Sequence, residues 1–202
     1  TQTSGVPSSE IKKVLADYEM KVSGACGMFS QDNDLSSTDA TSVKAAQDYI
    51  KRQLDFLAEV GAKYMVVVPS AVGRPNALAG DEFARSVEAL KACAPYFKDS
   101  GIFASVEPIR AAEVSLVHTV KYAMKLIEAI DDEAIAHINA DTYHMMLEEA
   151  HIGQAIIEAG DRLCNLHVAD SNRGALGTGM TDFDTIIRAA YIIGMNTKDR
   201  FI

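Results

Sequence analysis

Two hydrophobic periods take turns along the chain. Short, mostly apolar runs at Lys21–Met28, Lys63–Pro69, Ile102–Glu107, Ala134–Asp141 and Leu163–Ala169 have the length and content of buried strands. Between them apolar residues recur at helical spacing: Val43, Ala46, Ile50, Leu54 and Leu57, then Phe83, Val87 and Leu90, then Val117, Val120, Met124 and Ile127. Glu148–Ala159 and Asp182–Ile193 carry the same helical pattern. Gly61, Gly101, Gly160 and Gly194 each follow a helical pattern, where a helix-ending left-handed turn favours glycine. Asp39 and Thr181 are the expected N-caps of two helices, and Pro95 is expected to bend or shorten the third.

Strict alternation of strand and helix returns the chain to the same end after each crossover, so the strands should be parallel. Both an open doubly wound sheet and a closed barrel satisfy that rule. No GxGxxG follows the first strand, which weakens the dinucleotide-binding version of the open sheet. The expected class is α/β, a (β/α)₈ barrel, with residues 1–202 in one domain.

Polar residues inside the strands strengthen the barrel. Glu107, Asp141 and His167 each stand at or near the C-terminal end of a strand, and in a barrel those ends converge on one mouth. Ser105, Asn139 and Asn165, two positions earlier, point the same way, while Val106, Ala140 and Leu166 between them point outward. An unpaired polar group in a plain core costs about 2 kcal/mol or more, so three inward polar pairs call for a function. Taken singly, a strand-end glutamate is ordinarily solvated and a strand histidine is ordinarily a bonded core residue. At repeat-equivalent places, two carboxylates and an imidazole suit a divalent ion such as Mn²⁺, Mg²⁺ or Co²⁺ better than a structural thiolate zinc site.

Composition narrows the partners. The 202 residues carry a net charge of −9 with no lysine- or arginine-rich run, which excludes a phosphate-backbone track for nucleic acid. Apolar runs such as Tyr64–Val68 are too short to span a bilayer. Cys26, Cys93 and Cys164 are scattered without CxxC spacing, which fits a reducing cytoplasm and suggests buried thiols acting as small hydrophobes.

Longer motifs carry a family resemblance. Asp141-Thr142-Tyr143-His144-Met145, followed by Leu147-Glu148-Glu149, resembles the DTFHMxxEE segment of the ketose 3-epimerases of the D-tagatose and D-psicose type, within the xylose isomerase-like barrels. Val106-Glu107-Pro108-Ile109 with Glu113 is similar to their LEPLNRFE strand end. Leu166-His167-Val168-Ala169-Asp170-Ser171-Asn172-Arg173-Gly174, then Gly177-Thr178-Gly179, resembles their HxHxxESxRGxxGxG stretch. The three motifs stand in order and register over nearly the whole chain.

The resemblance implies that Glu107, Asp141 and His167 are metal ligands, Glu107 being also an acid/base. It implies that His144 and Arg173 hold the substrate near its carbonyl oxygen without being ligands, and that Glu113 bonds a sugar hydroxyl. The reaction would be deprotonation and reprotonation of a ketose at carbon 3 through an enediolate. The family's fourth ligand, a glutamate on the last strand, falls beyond Ile202. Counting against the family places strands 3 to 7 here, with strands 1, 2 and 8 absent or barely begun at Phe201-Ile202. The segment is therefore expected to belong to a chain of about 250–300 residues, homo-oligomeric when complete. Arg110-Ala111-Ala112 replace the family's Asn, Arg and Phe before Glu113, which leaves the sugar open. His118 and His151 are expected on helix surfaces or in packing, and His137 inside the barrel.

Other chemistries suit nearly the same parts. An aldose–ketose isomerase moves the proton between carbons 1 and 2, and an inosose dehydratase eliminates water on the same scaffold. A three-zinc endonuclease would need more histidines and a basic face. A degenerate barrel that only binds sugar completes the set.

Overall fold

The computed structural model of the chain describes residues 6–197 and 200–202. Its elements are α1 (Ser8–Asp17), β1 (Gly24–Cys26), α2 (Ala40–Val60), β2 (Tyr64–Val67), α3 (Glu82–Lys91), α4 (Ala94–Ser100), β3 (Phe103–Val106), α5 (Val120–Ile130), β4 (His137–Asp141), α6 (Thr142–Glu148), α7 (Ile152–Ala159), β5 (Leu163–His167) and α8 (Phe183–Ile192). Among the described residues the strands form one parallel sheet in the order β1-β2-β3-β4-β5. Phe201 then bridges Asn165 in parallel, so the apolar tail begins to pair beside β5 as its sequence suggested.

The sheet curls. Neighbouring strands sit about 4.8 Å apart, so the edges β1 and β5 of a flat sheet would be about 19 Å apart. Instead Cys26 Sγ on β1 lies 4.0 Å from His167 Nε2 on β5. Lower down, the Tyr64 and Phe201 rings face each other with centroids 5.4 Å apart. The concave side is thus the interior of an incomplete (β/α)₈ barrel. Val106, Ala140 and Leu166 are buried on the convex side, in a core shared with Ile50, Leu54, Leu126 and Ile156 from the helices.

Local chemistry explains most boundaries. Asp39 caps α2 by accepting from the Thr41 N–H at 3.0 Å, and the helix stops at Gly61, whose φ of 78° is left-handed. Four details differ from the sequence expectation. Pro95 opens a separate helix, α4, in whose first turn its missing N–H costs nothing. Asp182, not Thr181, caps α8: its Oδ1 accepts the Thr185 N–H at 3.1 Å, while the Thr181 hydroxyl is turned to Met146 Sδ at 3.0 Å. The helical pattern from Glu148 breaks: α6 ends there, Glu149 is extended, and α7 restarts with His151 Nδ1 accepting from the Gln154 N–H. Val117, in phase with α5, lies before that helix with φ 61°.

The Glu148–Glu149 pair explains the break. The Glu148 carboxylate accepts from the Ala111 N–H at 2.7 Å, and that of Glu149 from the Val120 N–H at 2.7 Å. Glu148 ties the junction between α6 and α7 to the long loop after β3, and Glu149 ties it to the first residue of α5. Burial raises the Glu149 pKa above the usual carboxylate range, against that one bond.

Candidate functional site

Strand ends and the turns that follow them build the mouth. Asp141 ends β4, and its carboxylate accepts from the Tyr143 N–H at 2.8 Å, so the chain enters α6 with no intervening loop. That immediate turn folds His144, three residues on, back over the end of the strand. Glu107 stands one residue past β3, buried, with its N–H bonded to the Val67 carbonyl of the neighbouring strand. Single ligand atoms of Glu107, Asp141 and His144 lie within 4.8 Å of one another, close enough to share one ion.

His167 ends β5 beside this group, with Nδ1 3.6 Å from Glu107 Oε1. Asn139 Nδ2 lies 3.2 Å from the same nitrogen, and Asn165 donates in turn to the Asn139 carbonyl oxygen. The inward polar residues of the strands therefore form a chain that fixes the imidazole. Cys26 and Glu107 raise the His167 pKa to about 10, against the opposing effect of burial. Ser105 takes another partner, the Cys164 thiol at 3.0 Å, because the β4–β5 ladder skips Cys164 and turns it inward. Cys93 is buried as expected, but Cys26 is exposed at the mouth rather than serving as core filler.

Beyond His144 the mouth is lined by a ladder centred on Tyr143. The Arg173 guanidinium lies 4.0 Å from the Tyr143 ring centroid and that of Arg110 lies 5.0 Å from it. Arg110 also donates to the Tyr143 hydroxyl at 2.8 Å and to Glu113 Oε1 at 2.6 Å. Glu113 thus joins the centre indirectly, held by the very arginine that departs from the family pattern. The Tyr143 and His144 rings meet edge to face at 5.6 Å. Tyr143 and Arg110 stood inside recognised motifs, but their packing partners are distant in sequence and only the fold exposes it. His118 lies in a loop, with Nδ1 3.0 Å from the Ile109 carbonyl, and His137 sits in the barrel interior against Phe103.

The donor set fits a divalent ion. It combines two carboxylates with two imidazoles, and His144 Nδ1 is buried without a hydrogen-bond partner. A buried orphan of this kind costs about 1–3 kcal/mol unless a ligand completes it.

Comparison with known proteins gives this arrangement its context. The profile of the xylose isomerase-like TIM barrel family matches residues 2–196. The chain belongs to that family. Among curated relatives, a ketose 3-epimerase of Arthrobacter globiformis is 34% identical over 187 residues, covering 91% of this chain and 63% of the relative. An L-ribulose 3-epimerase of Methylomonas sp. (strain DH-1) is 29% identical over 180 residues, covering 88% of this chain and 62% of the relative. The chain thus spans less than two thirds of the length of these relatives. A solved L-ribulose 3-epimerase superposes with a TM-score of 0.91 at 27% identity, over 99% of this chain and 67% of that one. A D-allulose 3-epimerase from Methylomonas sp., in complex with D-allulose, gives 0.89 at 27% identity, over 97% and 67%.

Proposed function

We propose that this family member is part of a divalent-metal-dependent sugar isomerase, a ketose epimerase that inverts carbon 3. The observation that carries the reading is the convergence of Glu107, Asp141 and His144, with His167 beside them, at the strand ends of a barrel. Curated relatives named ketose 3-epimerase, L-ribulose 3-epimerase and D-psicose 3-epimerase support the reaction class.

Glu107, Asp141 and His167 would hold the ion, for which Mn²⁺ is the proposed occupant and Mg²⁺ or Co²⁺ fit the same donors. When bound, such an ion would offset the negative charge that develops on the ketose oxygens as the proton leaves carbon 3. Glu107, at the buried end of β3, would take that proton and return one. His144, its Nδ1 otherwise without a partner, would donate to a substrate oxygen, and Arg173 would do so from the rim. Glu113, steadied by Arg110, would accept from a hydroxyl farther along the sugar. Inversion through an enediolate needs a second proton carrier on the opposite face. We assign that role to the last-strand glutamate implied by the resemblance.

The protein would act as a homo-oligomer in the cytoplasm. None of its three cysteines is disulfide-bonded, which supports a reducing compartment. No helix among the described residues is long and apolar enough to cross a membrane.

The test is turnover by the full natural protein, stripped with a chelator and then given Mn²⁺ and a panel of ketoses. The expected product is the carbon-3 epimer, formed only with metal. An aldose product would move the reading to an isomerase, and loss of water to a dehydratase. Binding without turnover would leave only a sugar-binding barrel.

A further inference from the structure

The loop that carries Arg173 is wound around one buried carboxylate. Asp170, fully buried three residues after β5, accepts the N–H groups of Ser171 at 2.7 Å and Thr181 at 3.1 Å on one oxygen. Its other oxygen accepts those of Gly177 at 2.9 Å and Gly179 at 2.8 Å. The Arg173 N–H closes the turn onto the Asp170 carbonyl at 2.8 Å, and Arg173 itself is left-handed at φ 56°. Backbone donors gathered on a carboxylate favour its charged form. Here they outweigh a desolvation that would raise the pKa, and hold it well below the usual range.

The glycines of the RGxxGxG stretch follow from this winding. Gly177 adopts φ 83°, and a β-carbon on Gly179 would stand 2.3 Å from Asp170 Oδ1. Only a bare backbone can come that close to the carboxylate. From this ring Arg173 reaches back to lie 4.0 Å from the centroid of Tyr143, whose ring meets that of His144 edge to face.

We propose that Asp170 is a positioning residue. Its carboxylate fixes the loop from Ser171 to Thr181 and thereby sets the Arg173 guanidinium over Tyr143 at the rim of the site. Asp170 touches no substrate; it acts through Arg173, and the inference rests on Arg173 being a substrate-binding group. Replacing one carboxylate oxygen by an NH2 group sets a donor against backbone N–H donors, so Asp170→Asn should release the loop while keeping its size.

The experiment uses the full natural protein with Mn²⁺. Because a 1 Å misplacement can cost about 100-fold, Asp170→Asn is expected to lower kcat by about 10- to 100-fold. The Mn²⁺ titration should stay unchanged, and trypsin should cut faster after Arg173. The Asp170→Asn/Arg173→Ala double variant should lose no more than Arg173→Ala alone, since both changes remove the same contact. Multiplying losses, or wild-type kcat with wild-type protection at Arg173, would overturn the proposal. Should Asp170→Asn not fold, Gly179→Ala, which keeps the carboxylate but crowds it, is expected to give the same kcat loss and trypsin sensitivity. Unchanged behaviour of that variant would likewise overturn it. If the wild-type protein turns over no ketose, the reaction reading fails on its own, and cleavage after Arg173 still decides whether Asp170 holds the loop.

Discussion

Asp141 shows how one carboxylate can serve two elements: it terminates β4 and its oxygen caps the first turn of α6. Side-chain alternation makes Glu107, Asp141 and His167 legible as inward, strand-end residues without any coordinates. His144 was legible only as a neighbour of the site, because its place within 4.8 Å of Glu107 and Asp141 depends on α6 starting directly at the strand end. Tyr143, Arg110 and Asp170 were invisible as working residues, since each acts through a partner that folding supplies. The assignment of ligands is tested by metal titration of single variants. His167→Ala is expected to weaken Mn²⁺ binding by at least about 10–100-fold, the loss seen when even a supporting partner of a ligand is removed. His144→Ala and Arg173→Ala should retain metal and lose turnover. Loss of metal by His144→Ala equal to that by His167→Ala would make His144 a ligand.

At the scale of elements, the long loops at the mouth are held by charge. Arg74, in the loop after β2, donates to Asp34 at 2.8 Å, Glu82 at 2.5 Å and Ser115 at 2.9 Å, joining loops that follow three successive strands. Its side chain is only 10% exposed, against 2% for Asp34 and 6% for Glu82, so water does not screen the cluster. Removing the cation would strand two buried carboxylates, and Arg74→Ala should therefore cost about 3–5 kcal/mol at neutral pH. Burial pushes the Glu82 pKa up, but bonds from Ser115, Arg74 and Ser36 outweigh it and hold it below the usual range. A lowered folded pKa contributes stability that is present above the unfolded value, about 4.3, and is lost as pH falls through the folded one. Urea melts of the wild type should accordingly lose stability in acid. In Arg74→Ala, where burial acts on Glu82 without the guanidinium, the deficit should shrink as pH drops toward 4. A deficit independent of pH would show that Arg74 contributes packing rather than charge. The strands of this frame were readable because their apolar runs are short and bounded. The split between α6 and α7 was not, because Glu149 is drawn out by the Val120 N–H, a partner 29 residues away.

For the whole molecule, alternation of strand and helix was enough to dictate parallel strands, and the inward polar pairs favoured a barrel over an open sheet. What the pattern could not give was curvature, which appears only when Cys26 and His167, on opposite edges, meet at 4.0 Å. That curvature brings strand ends far apart in sequence to one mouth, and the reaction reading depends on it. The central claim is proton exchange at carbon 3 of a ketose, and its most direct measurement is turnover in D₂O. Incubating the full natural protein with Mn²⁺ and D-psicose or L-ribulose, then locating deuterium by NMR, should show label at carbon 3 in product and recovered substrate, abolished in Glu107→Gln. Label at carbon 1 or 2 with an aldose product, or exchange that persists in Glu107→Gln, would contradict the account.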